Sequence, residues 1–462
     1  MTRTTDNESR TTAAGATGRV LVVDSTGRGH GICEMFTRTN PHVVVHYGPG
    51  CDVIDHPRIL PAPSVDLTDP RTAAEFLADH PVEFVFVSNI DALSQGYVDF
   101  LRAAGHRVIG PTAAAAELES SKARGKEFCR DHGIPVAEFE VFTDPAKAKE
   151  YVTAVPYACV VKTDGLTPDG DGSVVCDDAA DAVRAIERFA ERAARTGEDL
   201  RLVVEERLTG HEISVFGLLD GQSAMLFPTA MDYKRTLEDD AGKNCDGMGS
   251  IAPHPQDSSA LREQLRSVLV DPLVRGLKAD GLDFTGFVYI GAMLTSRGPV
   301  VIEINARFGD SEAEVVLPGV RSDFLQLCRA VLARRLGRHR LDTDGLARCS
   351  VALVQGCLDP EDPGALVGWP FGPFATGQAV LGMDRVDPEE AVVFCANVRR
   401  DGSGTPRTTG GRVLHVVGAG HTLEQARRRA YGQIERIAFA GMRFRTDIGA
   451  GVAAHVATPA GK

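Results

Sequence analysis

The sequence has no excess of basic residues, no long apolar run and no paired-cysteine motif. Its 50 lysines and arginines stand against 63 aspartates and glutamates, a net charge of −13. No positive field is available to hold a polyanion, so we expect no nucleic-acid partner. No apolar run approaches the roughly 18 residues of a membrane-spanning helix, so we expect no membrane partner. The ten cysteines include no Cys-x-x-Cys pair, and no charged-then-apolar leader opens the chain, which favours reduced thiols and a cytoplasmic location.

Short β-rich segments alternate with helical patterns in the first part of the chain. Residues 1–18 are polar, small and without period, which predicts a disordered tail. The run RVLVVDSTGRGHGICEMF then indicates a strand, a glycine-rich turn and a helix. Four further β-rich segments follow, namely HVVVHYGPG, PSVDL, VEFVFVSN and HRVIGP. This alternation predicts an N-terminal domain, residues 19–118, built on a parallel sheet with helices on both faces.

The rhythm changes in the middle of the chain, where strand patterns begin to follow one another directly. We assign residues 119–346 to a central domain with consecutive strands, and residues 347–450 to a small C-terminal α/β domain. Residues 451–462 are predicted to form a second tail. The predicted fold class is therefore α/β combined with α+β.

The segment FTGFVYIGAMLTSRGPVVIEINARF predicts a hairpin, with its turn at Ser296–Pro299 and its returning strand at Val300–Ile304. Glu303, Asn305 and Arg307 stand at every second position at the end of that strand, so their side chains point to one side. A carboxylate and an amide are oxygen ligands that suit Mg²⁺, although such groups also end strands as solvated side chains. Arg307 beside them can grip a carboxylate through two parallel hydrogen bonds.

Two lysines upstream fit a phosphate site. Lys162 ends the strand pattern YACVVK and precedes TDGLTPDGDGS, a loop with glycines at 165, 170 and 172. Glycine-rich backbone approaches phosphates closely and a lysine adds positive charge, whereas a flexible turn is the plainer interpretation of the loop alone. Lys122 stands at the start of a predicted helix after ELESS.

The segment VVEERLTGHE runs from a strand into a short linker and carries acids at 205, 206 and 212. Leu208 and its apolar neighbours could bind a flat base through backbone groups, while Glu212 could accept hydrogen bonds from ribose hydroxyls. No Ser/His/Asp set for nucleophilic catalysis is recognisable. The order of the lysines, the base-binding segment and the acid–amide pair carries more information than any one of them.

That order resembles the ATP-grasp ligases, and more closely the glycinamide ribonucleotide synthetase family, also called the phosphoribosylamine–glycine ligases. The resemblance covers about residues 19–450. It implies an N-terminal substrate domain, a central ATP-grasp domain and a small C-terminal domain. It is carried by RAAGHRVIGPTAAAAELESSKARGKEFCRDHGIP, VVKTDGL, VEERLTGHEISVF, DYKR, DGMGS, FTGFVYIGAML, VIEINARFGDSE, RSDFLQLC and TTGGRVLHVVGAGHTLEQARRRAY.

Carried over residue by residue, the resemblance implies a role for each candidate. ATP phosphates would contact Lys122 and Lys162, and Mg²⁺, with Mn²⁺ as an alternative, would be held by Glu303 and Asn305. Arg307 would bind the carboxylate of the amino-acid substrate, with Arg307 and Lys162 as the catalytic candidates. The nucleoside of ATP would be held by Glu205, Glu206 and Leu208 at the adenine and by Glu212 at the ribose.

The loops expected around the amine substrate depart from the family pattern. Where the family has roughly Gly-Pro-Glu-Ala-Pro-Leu, this chain has SNIDAL, so that Ile90 replaces an acid. Asp91, one place on, would point elsewhere if the segment is extended. The turn TGRGH has Gly29 in place of an acid, and Asp171 stands where a lysine usually follows the glycine of the phosphate loop.

These departures lead us to expect an ATP-dependent carboxylate–amine ligase that activates glycine or another small amino acid and joins it to a different amine in specialised metabolism. Its partners would be small-molecule carboxylate and amine substrates, and 5-phosphoribosylamine would be a poor one. One alternative is a divergent phosphoribosylamine–glycine ligase of de novo purine biosynthesis. Another is a non-catalytic nucleotide-binding relative, against which the intact lysines and the acid–amide pair argue.

Overall fold

The computed structural model describes residues 18–167, 172–356 and 368–452. Strands are numbered in chain order: β1 Arg19–Asp24, β2 Val44–Pro49, β3 Ile59–Pro61, β4 Phe84–Val87, β5 Val108–Ile109, β6 Phe139–Phe142, β7 Cys159–Thr163, β8 Ser173–Val175, β9 Leu202–Glu206, β10 His211–Asp220, β11 Ala224–Leu226, β12 Met231–Asp232, β13 Gly249–Ala252, β14 Thr285–Thr295, β15 Gly298–Asn305, β16 Ala347–Gln355, β17 Ala391–Cys395, β18 Val398–Arg400, β19 Pro406–Thr408, β20 Arg412–Gly420 and β21 Met442–Arg443.

The α-helices are numbered in the same way: α1 Gly27–Thr39, α2 Pro70–Asp79, α3 Ile90–Ser94, α4 Tyr97–Ala103, α5 Ala113–Ser120, α6 Lys122–Asp131, α7 Pro145–Ala154, α8 Ala179–Thr196, α9 Ser259–Leu265, α10 Asp271–Ala279, α11 Asp310–Val316, α12 Phe324–Leu332 and α13 Leu423–Ile434. A π-helical turn joins α9 to α10. No helix in the described ranges has the length and apolarity needed to cross a membrane. The two predicted tails fall outside these ranges except for residues 18, 451 and 452.

The N-terminal domain is a five-stranded sheet in the order β3-β2-β1-β4-β5, and every pairing in it is parallel. The parallel sheet predicted from the sequence is confirmed. The strand predicted at PSVDL is wrong, because the edge strand is β3 and Val65 lies in the turn after it. Val65 is buried, so its apolar character reflects packing under the turn, while Pro63 has no N–H to donate to a ladder.

The segment after β4 forms the short helix α3. An extended segment would have pointed the Asp91 side chain away from that of Ile90. Asn89 caps α3 by accepting hydrogen bonds from the backbone N–H groups of Asp91, at 2.9 Å, and Ala92. Gly96, with φ at 75°, separates α3 from α4, which begins at Tyr97. The left-handed φ explains the break, since only glycine adopts it at little cost.

The central region contains two four-stranded sheets, ordered β6-β9-β7-β8 and β11-β10-β14-β15. The predicted hairpin is confirmed as β14 and β15, which pair antiparallel from Thr295–Gly298 to Tyr289–Asn305. Its turn is Ser296–Arg297, so the returning strand begins two residues before the predicted Val300. The second strand ends at Asn305, and the residues expected to hold ligands stand at that end.

A third sheet combines strands from distant parts of the chain. Its order is β12-β13-β16-β20-β17, and β21 pairs with the end of β16. Helix α13 packs on β16 and β20. Strands β12 and β13 lie within the residues that the sequence pattern assigned to the central domain, yet β13 pairs with the C-terminal strand β16, and β12 pairs with β13. The DYKR segment that follows from β12 is thereby anchored on the C-terminal sheet.

Aromatic rings fill the space between the N-terminal sheet and the β10–β14 sheet. Phe287 of β14 lies 5.0 Å from Phe308, 5.7 Å from Phe86 of β4 and 5.8 Å from Phe324 of α12, measured between ring centroids. Phe36 of α1 lies 4.6 Å from Phe324. Because these residues are buried, the cluster fixes the N-terminal domain against the strand pair that carries the candidate ligands.

We expect Phe287→Ala to lower the free energy of unfolding by about 3–5 kcal/mol, since it deletes a buried ring and leaves a cavity between two sheets. The thermal unfolding midpoint should fall accordingly. Phe374→Ala is the matched control, because that ring is 38% exposed. Equal midpoints for the two variants would contradict the role given to the cluster.

Candidate active site

One large cavity lies where the two central sheets meet the N-terminal and C-terminal domains. Its volume is about 910 Å³, and a smaller cavity of about 190 Å³ adjoins it. Both are lined by Lys122, Lys162 and Glu303. All the site residues predicted from the sequence stand on the wall of the larger cavity, namely Lys122, Lys162, Glu205, Glu206, Leu208, Glu212, Glu303, Asn305 and Arg307.

Two buried lysines share one buried carboxylate at the base of the cavity. Strand pairing of β7 with β9 brings the Lys162 Nζ to 2.5 Å from Glu205 Oε1, and Lys126 forms an ion pair with Glu205 Oε2. Burial opposes ionisation of Glu205, but the charges of Lys126 and Lys162 prevail and lower its pKa. Lys126 was not predicted from the sequence, although its i,i+4 spacing from Lys122 on α6 places both on one face.

Lys122 is the third lysine of this group. Its Nζ donates to the carbonyl of Gly165, at 2.6 Å, in the glycine-containing loop after β7. Burial and the nearby charge of Lys162 lower the pKa of Lys122, while the acids Glu303, Asp164 and Glu119 act in the opposite direction. Gly170 and Asp171, the loop positions singled out from the sequence, lie outside the described residues.

The segment after β9 faces the cavity beside an apolar slot. Glu206 is paired with the exposed Arg297, at 2.9 Å, and Glu212 lies 3.4 Å from Lys234 Nζ. Apolar side chains also line the larger cavity, among them Ala137, Val160, Val175, Leu208, Met293 and Val301. A slot of this composition next to strand-end backbone groups suits a flat base.

Glu303 and Asn305 stand two residues apart on β15, as expected from the sequence, and both line the cavity. Lys234 Nζ lies 3.7 Å from Glu303 Oε1. Burial would raise the pKa of Glu303, yet Lys234, Lys162, Arg307 and Lys122 together lower it to about 2. The carboxylate is therefore ionised at neutral pH and, with the amide oxygen of Asn305, forms an oxygen pair that fits Mg²⁺.

Arg307 is oriented by an acid that the sequence did not reveal. Its Nη2 lies 2.8 Å from Oε1 of the buried Glu119, and Glu119 Oε2 accepts a hydrogen bond from the backbone N–H of Ala306 at 2.6 Å. Glu119 comes from α5, nearly two hundred residues earlier, which is why no local pattern connects the two. Arg307 Nη1 donates to the carbonyl of Phe308, so the guanidinium is held from two sides.

The opposite wall comes from the N-terminal and C-terminal domains. Arg28 donates through its backbone N–H to Asp310 Oδ1 at 3.0 Å, and Arg412 forms an ion pair with Asp310 Oδ2. Burial opposes ionisation of Asp310, but Arg412 and Arg28 hold its pKa well below the usual range. Other polar residues on this wall are Thr26, Asn89 and Asp91.

The two departures noted near this wall have different structural outcomes. A Cβ at position 29 would lie 2.5 Å from the Tyr47 hydroxyl and 2.6 Å from Asp24 Cβ. Gly29 therefore reflects packing of α1 on the sheet, since no acid fits there without moving β1 or β2. Ile90 lines the cavity as expected, but Asp91 lines it as well, because the segment is helical.

A second buried group lies behind Asp310. Glu314 of α11 and His415 of β20 have no solvent exposure, and Glu314 Oε1 is 4.0 Å from His415 Nε2. Burial raises the pKa of Glu314 well above its usual range and lowers that of His415 to about 3. Both shifts favour neutral side chains, so the positive charge of Arg412 remains directed to Asp310.

Family models for phosphoribosylglycinamide synthetase match the chain in three consecutive parts. The N domain matches residues 18–119, the ATP-grasp (A) domain residues 120–313 and the C domain residues 365–451. The chain belongs to this family. The resemblance and the fold class inferred from the sequence are confirmed, and the chain is an ATP-grasp ligase that forms a C–N bond.

Relatives of nearly the same length are named phosphoribosylamine–glycine ligase. The protein from Ralstonia nicotianae is 35% identical over 93% of this chain and 98% of its own length, and that from Chlorobaculum tepidum is 36% identical over 94% and 99%. The crystal structure of the Thermotoga maritima ligase superposes with a TM-score of 0.76 at 28% identity, covering 93% of this chain and all of that one. A Campylobacter jejuni biotin carboxylase, at 11% identity and a TM-score of 0.67, shares the fold.

We expect Glu205→Gln to destabilise the protein by about 3–5 kcal/mol at pH 7, because it leaves Lys126 and Lys162 buried without a counter-charge. Since the folded-state pKa of Glu205 is lowered, its stabilisation is present above the ordinary glutamate pKa and is lost as the pH falls through the lowered value. The thermal unfolding midpoints of Glu205→Gln and of the wild type should therefore differ most at neutral pH and converge as the pH is lowered.

Glu206→Gln is the matched control, since its partner Arg297 is 61% exposed. It should cost less than about 1 kcal/mol. If Glu205→Gln lowered the free energy of unfolding by as little as the control, the buried ion pairs would not stabilise the fold.

Proposed function

We propose that this protein is a phosphoribosylamine–glycine ligase of de novo purine biosynthesis, which joins glycine to 5-phosphoribosylamine with hydrolysis of ATP to ADP and phosphate. The observation that carries the proposal is the convergence of Lys122, Lys162, the Glu303–Asn305 pair and Arg307 on one cavity that the N-terminal and C-terminal domains complete. The names of full-length relatives at 35% and 36% identity support the same substrates.

The nucleotide occupies the end of the cavity between the two central sheets. Lys122 and Lys162 contact the phosphates, and the apolar slot beside Leu208 takes the adenine, with Glu205 and Glu206 at the strand end. Glu212 accepts from the ribose hydroxyls. Glu303 and Asn305 hold Mg²⁺, or Mn²⁺ in its place, which when bound offsets negative charge on the phosphates.

Glycine is held by its carboxylate at Arg307. Two N–H groups of a guanidinium match two carboxylate oxygens, and the ion pair with Glu119 holds the plane of Arg307 in a fixed direction. A carboxylate at this place lies beside the oxygen pair of β15, where the terminal phosphate of the nucleotide is expected. This arrangement brings the two reacting groups together before the reaction begins.

The amine site is the wall formed by the N-terminal and C-terminal domains. Thr26, Asn89 and Asp91 offer hydrogen-bonding groups for ribose hydroxyls, and Arg28 and Arg412 supply positive charge for a phosphate. Asp91 supplies the carboxylate that the family pattern has at the position of Ile90. The main expectation, a different amine in specialised metabolism, is therefore less well supported than its alternative, and the relatives favour the alternative as well.

The reaction proceeds in two steps. A glycine carboxylate oxygen attacks the γ-phosphorus of ATP and forms an acyl phosphate, with ADP as the leaving group. The amine nitrogen then attacks the acyl carbon, the C–N bond forms, and the C–O bond breaks to release phosphate. Lys122 and Lys162 stabilise the charge that develops on the transferring phosphoryl group. No side-chain nucleophile is needed.

The direct test is an assay with ATP, glycine and freshly generated 5-phosphoribosylamine, together with complementation of a purine auxotroph that lacks the ligase. We expect glycinamide ribonucleotide and ADP in equal amounts, and growth without added purine. ADP formation with another amine but not with phosphoribosylamine would instead support a ligase of specialised metabolism. No ADP formation with any pair of substrates would identify a non-catalytic relative.

Lys162→Ala and Glu303→Ala should each lower the rate of ADP formation about 10²-fold or more, because each removes a preorganised charge from the phosphoryl-transfer site. Lys278→Ala and Glu263→Ala, which alter exposed side chains of the same types, serve as controls. Near-normal turnover in Lys162→Ala and Glu303→Ala would contradict the ATP-grasp mechanism proposed for this site.

Arg307→Lys should raise the KM for glycine and lower kcat/KM for glycine by about 10-fold or more, since lysine cannot make the two parallel hydrogen bonds. The KM for ATP should change little. Arg275→Lys, at an exposed position, is the control. A glycine KM that is unchanged in Arg307→Lys would move the carboxylate site elsewhere.

A further inference from the structure

A pair of carboxylates, Asp232 and Glu312, lies on the cavity wall. Asp232 of β12 lines the cavity, and so does Glu312 of α11. The Ser311 hydroxyl lies between them, 2.7 Å from Asp232 Oδ1 and 3.2 Å from Glu312 Oε2. It has one hydrogen to donate, so it can satisfy only one of the two carboxylates at a time.

The pair is built into the fold. Glu312 is buried and accepts a second hydrogen bond from Ser214 Oγ of β10 at 3.0 Å. A Cβ at Gly247 would lie 2.6 Å from Asp232 Oδ1 and 2.8 Å from Ser311 Oγ, so the backbone at Gly247 lies directly against the pair.

The surroundings of Asp232 contain charges of both signs. Burial and the neighbouring Glu312 raise its pKa to about 8, while Lys234 and Arg412 act in the opposite direction. Lys234, two residues along the chain, also approaches Glu212 and Glu303. Asp232 and Glu303 therefore line the same cavity, and the charge of Lys234 lowers the pKa of both.

We propose that Asp232 is the catalytic base that takes the proton from the attacking amine, and that Ser311 and Glu312 position its carboxylate. This inference rests on the proposed function, because it names the residue that completes the second step of that reaction. No other described residue of the proposed mechanism takes up this proton.

The lone pair of the neutral amine forms the C–N bond with the acyl carbon, and the electron pair of the C–O bond leaves with phosphate. The nitrogen, now bonded to carbon, loses one N–H proton to Asp232. The neutral amide dissociates, and Asp232 returns the proton to solvent before the next turnover.

The first test is Asp232→Asn, which keeps the shape and removes the base. We expect kcat for glycinamide ribonucleotide formation to fall by about 10²–10⁴-fold, with little change in the KM for ATP and glycine. Hydroxylamine, a strong nucleophile that is uncharged at neutral pH, should trap the glycyl phosphate as the hydroxamate at a rate close to that of the wild type.

The two readouts separate the inference from the proposed function. A wild type that forms neither hydroxamate nor glycinamide ribonucleotide would overturn the proposed function. An Asp232→Asn variant that keeps wild-type kcat with phosphoribosylamine, or that loses both products equally, would overturn the role of Asp232 alone. Asp384→Asn, at an exposed turn of the C-terminal domain, is the control for loss of a carboxylate.

The second test uses pH and variants that keep the base. The base form of Asp232 is the carboxylate, so kcat should rise with pH through the region of pH 8. Glu312→Gln removes the neighbouring negative charge and should shift this rise to lower pH, and Asp232→Asn should abolish it. A rise whose midpoint is the same in all three proteins would overturn the proposal.

Discussion

The carboxylate of Asp310 is the contact on which the arrangement of the site depends. It accepts a hydrogen bond from the backbone of Arg28, at the start of α1, and pairs with the guanidinium of Arg412, in β20. Asp310 itself begins α11, a few residues after the strand that ends in Asn305. One carboxylate, whose side chain is only 12% exposed, thus joins the N-terminal, central and C-terminal domains. Ionised groups buried in this way stabilise only in the correct geometry, so the contact also fixes how the three domains meet.

The cationic side chains in and beside the cavity form ion pairs with acidic side chains of the protein. Lys162 and Lys126 share Glu205, Lys234 lies between Glu212 and Glu303, and Arg307 is held by Glu119. Each acid reduces the cost of burying its cation and fixes where that cation points. Charges that are already oriented need no reorganisation when an anionic ligand arrives, which is the condition for electrostatic stabilisation of phosphoryl transfer.

Departures from a family pattern have to be judged by what surrounds them in space. Gly29 replaces an acid because Tyr47 and Asp24 occupy the space that a side chain would need. Ile90 replaces another acid, but the helical turn capped by Asn89 brings Asp91 to the same cavity wall. Packing explains Gly29, and at Ile90 the next residue, Asp91, places a carboxylate on the same wall. Neither removes the hydrogen-bonding capacity of the wall.

The sequence by itself determined the elements whose signals are local. The alternation of β1, α1 and the strands that follow predicted the parallel sheet. The two-residue period of β15 placed Glu303, Asn305 and Arg307 on one side, and the glycine loop after β7 marked Lys162. Local patterns sufficed because a strand or a helix start is decided by residues within a few positions of one another.

Only the tertiary structure decided the groups that act through distant partners. Glu119 reaches Ala306 across 187 residues, and Ser311 meets Asp232 across 79. Strands β12 and β13 join the C-terminal sheet, and that pairing brings Lys234 and Asp232 to the cavity. No periodicity encodes such contacts, because a buried charge acquires its partner, and with it its pKa and its orientation, only when the sheets have packed and water has been excluded.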